Sequence, residues 1–192
     1  MSKVAVVYHS GYGHTKKQAE AVAKGSAATG AEVTLVAVED VNDKWDVLEK
    51  ADAIIFGAPT YMGSLSAQFK TFMDASSKVW FHRGWQDKLA AGFTTSGSQS
   101  GDKLAALQQL SVFAAQHGML WVSLGLLPGN NSSKGSVNDL NRLGSFLGAM
   151  AQANSDEGAE IAPPSSDLLT AEHLGRRVAE QLKRISPVAK AA

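Results

Sequence analysis

Residues 3–15 read Lys3-Val-Ala-Val-Val-Tyr-His-Ser-Gly-Tyr-Gly-His-Thr15, a short apolar strand running into a loop of hydroxyls and glycines just before a helical pattern. A helix N-terminus carries unpaired N–H groups and partial positive charge, so a phosphate placed there gains hydrogen bonds and a favourable dipole together. Ser10 and Thr15 add hydroxyls, and Gly11 and Gly13 allow close backbone approach. The loop holds no Lys or Arg, which points to a phosphomonoester tail bound by dipoles and hydroxyls; Lys16 and Lys17 follow it as solvated residues. An ordinary strand-to-helix turn with a good N-cap would read the same way.

Two more loops of this kind follow. Asp52-Ala-Ile-Ile-Phe-Gly-Ala-Pro-Thr-Tyr-Met-Gly-Ser64 and Leu89-Ala-Ala-Gly-Phe-Thr-Thr-Ser-Gly-Ser-Gln-Ser-Gly101 each pass from a buried strand into a Gly- and hydroxyl-bearing loop before a helix. Short apolar strands are expected at 3–8, 32–38, 52–57, 89–95 and 119–124. Helices are expected at 14–28, 44–50, 65–77, 102–117 and 170–185, with Gly30 and Gly118 ending two of them. This alternation predicts an α/β, doubly wound, five-stranded parallel sheet of order 2-1-3-4-5, in which ligands bind beyond the carboxyl ends of the strands. The three loops follow strands one, three and four, so they would meet at that crevice.

The 192 residues fit one domain over 1–192, with 44% apolar and 19% charged residues as in globular proteins. Net charge is zero, which gives no electrostatic reason to expect nucleic acid; Arg176-Arg177 and Lys183-Arg184 read as the wet face of a helix. Cysteine is absent, which excludes disulfides, thiolate catalysis and Cys-ligated metals, so redox chemistry must come from a cofactor. No apolar segment approaches the roughly 20 residues of a membrane helix, and no leader precedes the first strand, so a cytoplasmic location is expected. Residues 125–167, bounded by Gly129-Asn-Asn-Ser-Ser-Lys-Gly-Ser136 and Ala162-Pro-Pro-Ser-Ser-Asp167, are expected as an insertion after strand five. It would fold over the site, support a subunit contact or form a surface excursion.

The Rossmann fingerprint fails because Lys16 stands where its last glycine belongs, and no phosphate loop of the G-x-x-x-x-G-K-[S/T] type occurs. Residues 3–15 also lack the acids that a phosphorylated response regulator needs. His14 and His82 have no metal-ligand spacing, so no metal is assigned.

Ser10-Gly-Tyr-Gly-His-Thr15, Pro59-Thr-Tyr-Met-Gly63 leading to Phe69-Lys-Thr-Phe-Met-Asp74, Val79-Trp80, Thr95-Ser-Gly-Ser-Gln-Ser-Gly101 and His117-Gly-Met119 together resemble the flavodoxin-like NAD(P)H:quinone oxidoreductases of the tryptophan-repressor-binding-protein (WrbA-like) type, in the NADPH-dependent FMN reductase superfamily. The resemblance implies FMN as cofactor, with Ser10, Gly11, Tyr12, Gly13, His14 and Thr15 holding its phosphate and Tyr12 also facing the nicotinamide nucleotide. It places Pro59, Thr60, Tyr61, Met62 and Gly63 along one edge of the isoalloxazine. Thr95, Ser96, Gly97, Ser98, Gln99 and Ser100 would contact ribityl and pyrimidine atoms. His117 would approach the pyrimidine end, from its own or another subunit, and Trp80 would lie over the ring face where a quinone stacks. Simpler readings stand beside the last two: a C-terminal helix cap for His117, and a packed aromatic cluster of Trp80, Phe81 and Trp85.

The implied activity is two-electron, ping-pong transfer from NADH or NADPH through FMN to a quinone, in a homodimer or homotetramer, with no catalytic side chain because the flavin carries the chemistry. Tyr61 and Met62 depart from the basic or polar residues usual in that loop, which bears on substrate access. Competing readings are a one-electron flavodoxin carrier, disfavoured by equal acids and bases (18 each), and a noncatalytic FMN-binding module.

Overall fold

Alternate residues of the three central strands point to opposite faces, and both faces are apolar. The computed structural model describes residues 1–185; the last seven residues of the expected 1–192 domain lie outside the described residues. In chain order the elements are β1 (Lys3–Tyr8), α1 (His14–Ala27), β2 (Glu32–Ala37), a 3₁₀ segment (Val38–Asp43), α2 (Trp45–Lys50), β3 (Ala53–Tyr61), β4 (Ser64–Leu65) and α3 (Ala67–Ala75). Then follow α4 (Ser77–Phe81), β5 (Leu89–Ser96), α5 (Lys103–Gln116), β6 (Leu120–Trp121), β7 (Ala149–Gln152) and α6 (Ser165–Ile185). Val4, Val6, Ile55 and Phe93 join Val22 of α1 and Leu174 of α6 in one core. Val7, Ile54 and Phe56 join Leu48, Phe72, Trp85 and Leu110 in the other. A strand apolar on both faces is stable only with helices on both sides, hence the doubly wound architecture.

The order β2-β1-β3-β5-β6, with parallel neighbours, is the predicted 2-1-3-4-5 path. One expectation is corrected. The fifth position does not hold a continuous 119–124 strand followed by an insertion; two segments share it. β6 pairs only with the start of β5, Leu89 and Ala90, whereas β7 pairs with its end, from Phe93↔Ala149 to Ser96↔Gln152. The intervening chain is thus an interruption within strand five. Asn141 anchors it: its side-chain amide donates to the Ser145 carbonyl at 2.8 Å, its Oδ1 accepts from the Ser145 N–H at 2.9 Å, and its backbone N–H donates to Thr170 Oγ1 at 2.8 Å.

The expected 65–77 helix is divided among β4, α3 and α4, and α6 starts five residues earlier than the periodicity suggests. α1 and α6 approach so closely that a Cβ on Gly25 or Gly175 would collide with the backbone carbonyl of Glu172 or Val22, respectively. Ser26 Oγ donates to the Gly175 carbonyl at 3.0 Å across that contact. Among the described residues no helix is long and apolar enough to cross a membrane.

Candidate FMN site

Because β1, β3 and β5 run in register, Tyr8 lies beside Gly57, Gly57 beside Phe93, and Pro59 beside Thr95, and the three following loops emerge together. The first is bent by Gly13, which precedes α1 in the left-handed region (φ 89°), a conformation that favours glycine. Ser10 Oγ accepts the N–H of Lys16 at 3.0 Å, and the Gly13 carbonyl accepts that of Lys17 at 3.1 Å. The loop therefore wraps the start of α1, where a helix's first N–H groups have no partner within the helix.

The second loop is a two-residue hairpin joining β3 and β4, with Met62 (φ 49°) and Gly63 (φ 77°) both left-handed, as a tight hairpin turn demands. The third runs from Thr95 to Gly101. Thr95 Oγ1 donates to Gln18 Oε1 at 2.7 Å and Gln18 Nε2 to the Ala149 carbonyl at 3.3 Å, so α1 ties β5 to β7 under the loops.

Between these loops lies a cleft of about 520 Å³, within the usual span for small-molecule sites. Ser10, His14 and Thr15 line its helix end. Pro59 and Tyr61 form one side, and Thr95, Ser96 and Gly97 the other. Tyr12, 79% exposed, sets its ring edge-on to Tyr61 at 6.4 Å, making an aromatic rim. Burial, and secondarily Tyr12, raise the Tyr61 phenol above its ordinary pKa, so it stays neutral.

The expected 125–167 segment supplies a fourth wall, through residues not singled out in the sequence: Ala153, Ser155, Glu157 and Gly158, from the turn after β7. His14 Nε2 donates to the Glu157 carbonyl at 2.9 Å, which locks this turn to the phosphate-type loop. Behind it, Arg142 holds Asp167 through two bonds of 2.7 and 2.8 Å, and Asp167 Oδ2 also accepts the Gln152 N–H at 2.9 Å. The signal was present in sequence, since Asn154-Ser-Asp-Glu-Gly158 is another polar, glycine-bearing loop after a short apolar stretch.

The remaining sequence-predicted residues are placed differently. Gly11 and Gly13 allow close packing beside the cleft: a Cβ on Gly11 would sit 2.7 Å from the Tyr61 hydroxyl, and one on Gly13 2.9 Å from Ala159 Cβ. Thr60 is buried and bonded to Thr94 Oγ1 at 2.7 Å; because the Thr94 proton goes to the Ala58 carbonyl, Thr60 is the donor. Met62 and Gly63 are the hairpin tip. The Ser98 and Gln99 carbonyls turn inward to Lys103, and Gln99 and Ser100 border a neighbouring groove.

Two of the expected residues do not line the cleft of their own chain. Helix α5 carries the chain back to the opposite end of the sheet, so His117 lies far from the cleft, 5% exposed, against Trp85 and Phe113 with ring centroids at 4.4 and 4.9 Å. Burial lowers its pKa to about 4, so it is neutral and supplies no cationic cap either. Trp80, on α4, is 49% exposed and is not among the residues that line the cleft. Of the alternative aromatic cluster only Trp85 is buried; Phe81 is exposed.

A family model described as NADPH-dependent FMN reductase matches residues 3–133. The chain belongs to the NADPH-dependent FMN reductase family. It is 49% identical over 183 residues to the flavodoxin FldP of Pseudomonas aeruginosa, covering 93% of this chain and 96% of that one. It is 32% identical over 208 residues to an NAD(P)H dehydrogenase (quinone) of Archaeoglobus fulgidus, covering 96% and 100%. Among solved structures, a flavodoxin, WrbA-like protein from Agrobacterium tumefaciens superimposes with a TM-score of 0.76 at 45% identity, covering 96% and 99%. This FMN reductase family member is thus an oxidoreductase of flavodoxin fold that uses FMN with NAD(P)H.

Proposed function

We propose that the chain is a two-electron NAD(P)H:quinone oxidoreductase working in alternation, the nicotinamide nucleotide and then the quinone occupying the same open side of the cleft. The observation that carries this reading is the cleft itself. It has an anion-binding helix end and a polar wall, and its aromatic rim stands open to solvent beside them.

The residues present suit FMN. Side chains at Gly11 and Gly13 would crowd Tyr61 and Ala159 beside the cleft, and the α1 N-terminus with Ser10 and Thr15 supplies donors to a phosphate without cationic side chains. When bound, FMN supplies acceptance of a hydride and its delivery onward as two electrons. Tyr61 and Pro59 would support one side of the ring, and Thr95 to Gly97 its polar edge. The remaining Ser98–Ser100 stretch offers backbone donors where negative charge grows. Tyr12 and Tyr61 would stack incoming planar substrates and exclude water from the reacting face. Among the described residues Glu157 is the one carboxylate on the cleft wall, and its Oε2 accepts from the Asn154 side-chain amide at 3.2 Å.

Within one chain Trp80 and His117 cannot cover the cleft. A stacking role for Trp80 requires a second copy, so assembly as a homodimer or homotetramer, in a cytoplasmic setting, belongs to this reading. A one-electron carrier is the second reading, favoured by the name flavodoxin given to the 49%-identical relative. Initial-rate kinetics separate the two: varying NADPH or NADH at several benzoquinone concentrations should give parallel double-reciprocal lines. Intersecting lines, or turnover only with a one-electron protein partner, overturn the proposal.

A further inference from the structure

Lys103 is the first residue of α5, where a helix dipole disfavours a cation, and its side chain is buried, 1% exposed. Burying a lysine in this position is costly unless its ammonium is fully satisfied. All three N–H bonds are used: to Ser96 Oγ at 2.7 Å, the Ser98 carbonyl at 2.9 Å and the Gln99 carbonyl at 2.8 Å. Ser96 lines the cleft, so the ammonium stands one hydrogen bond behind its wall. Among the described residues no Lys or Arg lines the cleft.

The geometry has a second effect. A trans peptide points its N–H opposite to its C=O. Drawing the Ser98 and Gln99 carbonyls inward therefore turns the N–H groups of Gln99 and Ser100 to the outer side of the loop. Those residues are exposed. Lys103 thus orients donors outward and holds a positive charge behind them. Asp167 and Arg142 are the other charged groups acting on it, and they are paired with each other.

We propose that Lys103 is the buried cation that biases this cleft toward the reduced, electron-rich form of FMN, through its charge held one hydrogen bond behind Ser96. The proposal rests on the FMN reading above. Hydride from NAD(P)H brings two electrons and one proton to the neutral oxidised ring and leaves NAD(P)⁺, so the ring gains one negative charge. That charge is what a fixed cation stabilises and what the oxidised ring lacks. Lys103 is a positioning and electrostatic residue, since it reaches the cleft through Ser96. Burial, opposed by Asp167 and reinforced by Arg142, lowers its pKa to about 8, so its charge can be withdrawn within an accessible pH range.

The test compares FMN-loaded wild type with Lys103→Gln, which keeps donors without charge, and Lys103→Met. Midpoint potentials are measured anaerobically against a reference dye, and oxidised FMN affinity is measured by fluorescence quenching. Loss of the charge should weaken reduced FMN at least tenfold more than oxidised FMN, which for a two-electron couple is a fall of about 30 mV. Equal weakening of both forms, with the potential unchanged, would reduce Lys103 to a loop staple and overturn the proposal. Wild type alone gives a second measurement if the variants misfold. Between pH 7.5 and 9.5 reduction should take up more than one proton per two electrons, as the new negative charge reprotonates Lys103. Uptake flat at one proton overturns it. Should wild type itself bind no FMN, the cofactor reading falls and this inference with it; should it bind FMN with potentials equal across variants, only the role of Lys103 falls.

Discussion

Acidification should destabilise this protein well before its carboxylates protonate, and His117 is the reason. Ser76 Oγ lies 2.7 Å from the Met73 carbonyl and 2.9 Å from His117 Nε2. The single Ser76 proton goes to the carbonyl, which can only accept, so Nε2–H is the donor to Ser76. Nδ1 is then the bare nitrogen, buried without a partner beside Trp85 and Phe113. Protonation would place an unsatisfied N–H⁺ in that core, which is why burial lowers the pKa from 6.5 to about 4. The unfolded chain therefore binds the proton below pH 6.5 while the folded chain resists it down to about 4, and stability is lost as pH falls through that window. At 1.36 kcal/mol per pH unit the loss approaches about 3 kcal/mol by pH 4, and about 1.4 kcal/mol of it has occurred by pH 5.5. His9 and His173 are also held low by burial, so wild type must be compared with His117→Gln, whose amide can still donate to Ser76. Urea unfolding at fixed FMN concentration, followed by tryptophan fluorescence, should show wild type losing about 1.2 kcal/mol more than the variant between pH 7 and 5.5. Parallel losses would refute the assignment of the neutral, partnerless imidazole.

Two substitutions probe the walls of the cleft. Asp167→Asn leaves the buried Arg142 without its carboxylate partner and should cost about 3–5 kcal/mol in unfolding free energy. Because Asp167 also holds Gln152 of β7, FMN affinity should fall with it; titration of FMN fluorescence checks the second effect. Gly13→Val adds a side chain at a positive φ and against Ala159, so FMN affinity should drop at least tenfold, measured by the same titration, while the midpoint potential of the FMN still bound moves little.

The strands and their loops were legible because a doubly buried parallel strand declares itself as a short apolar run ending in glycine and hydroxyl residues. The 3–15 stretch carries that pattern without interruption. β7 was not legible: Ala149-Met-Ala-Gln152 is four residues with no partner nearby in sequence, and its strand character comes only from pairing with Phe93–Ser96. Without β7, the role of 125–167 over the site could be expected but not assigned to Ala153–Gly158. Motif resemblance puts His117 near the cofactor, from its own or another subunit; within one chain a fourteen-residue helix carries it about 21 Å at 1.5 Å per residue, back toward the far end of the sheet. Lys103 was overlooked because a lysine beginning a helix reads as solvated; only the carbonyls of the preceding turn show that it is buried.

The central claim, that the cleft holds FMN and passes two electrons from NAD(P)H to a quinone, is tested most directly by one anaerobic titration. Purified FMN-loaded protein is titrated with NADPH and then NADH while flavin absorbance is followed, and benzoquinone is added last. The account predicts direct bleaching by at least one nucleotide without a long-wavelength one-electron species, and full recovery of absorbance on adding the quinone. Failure of both nucleotides to bleach the flavin, or accumulation of a stable one-electron species, would contradict it.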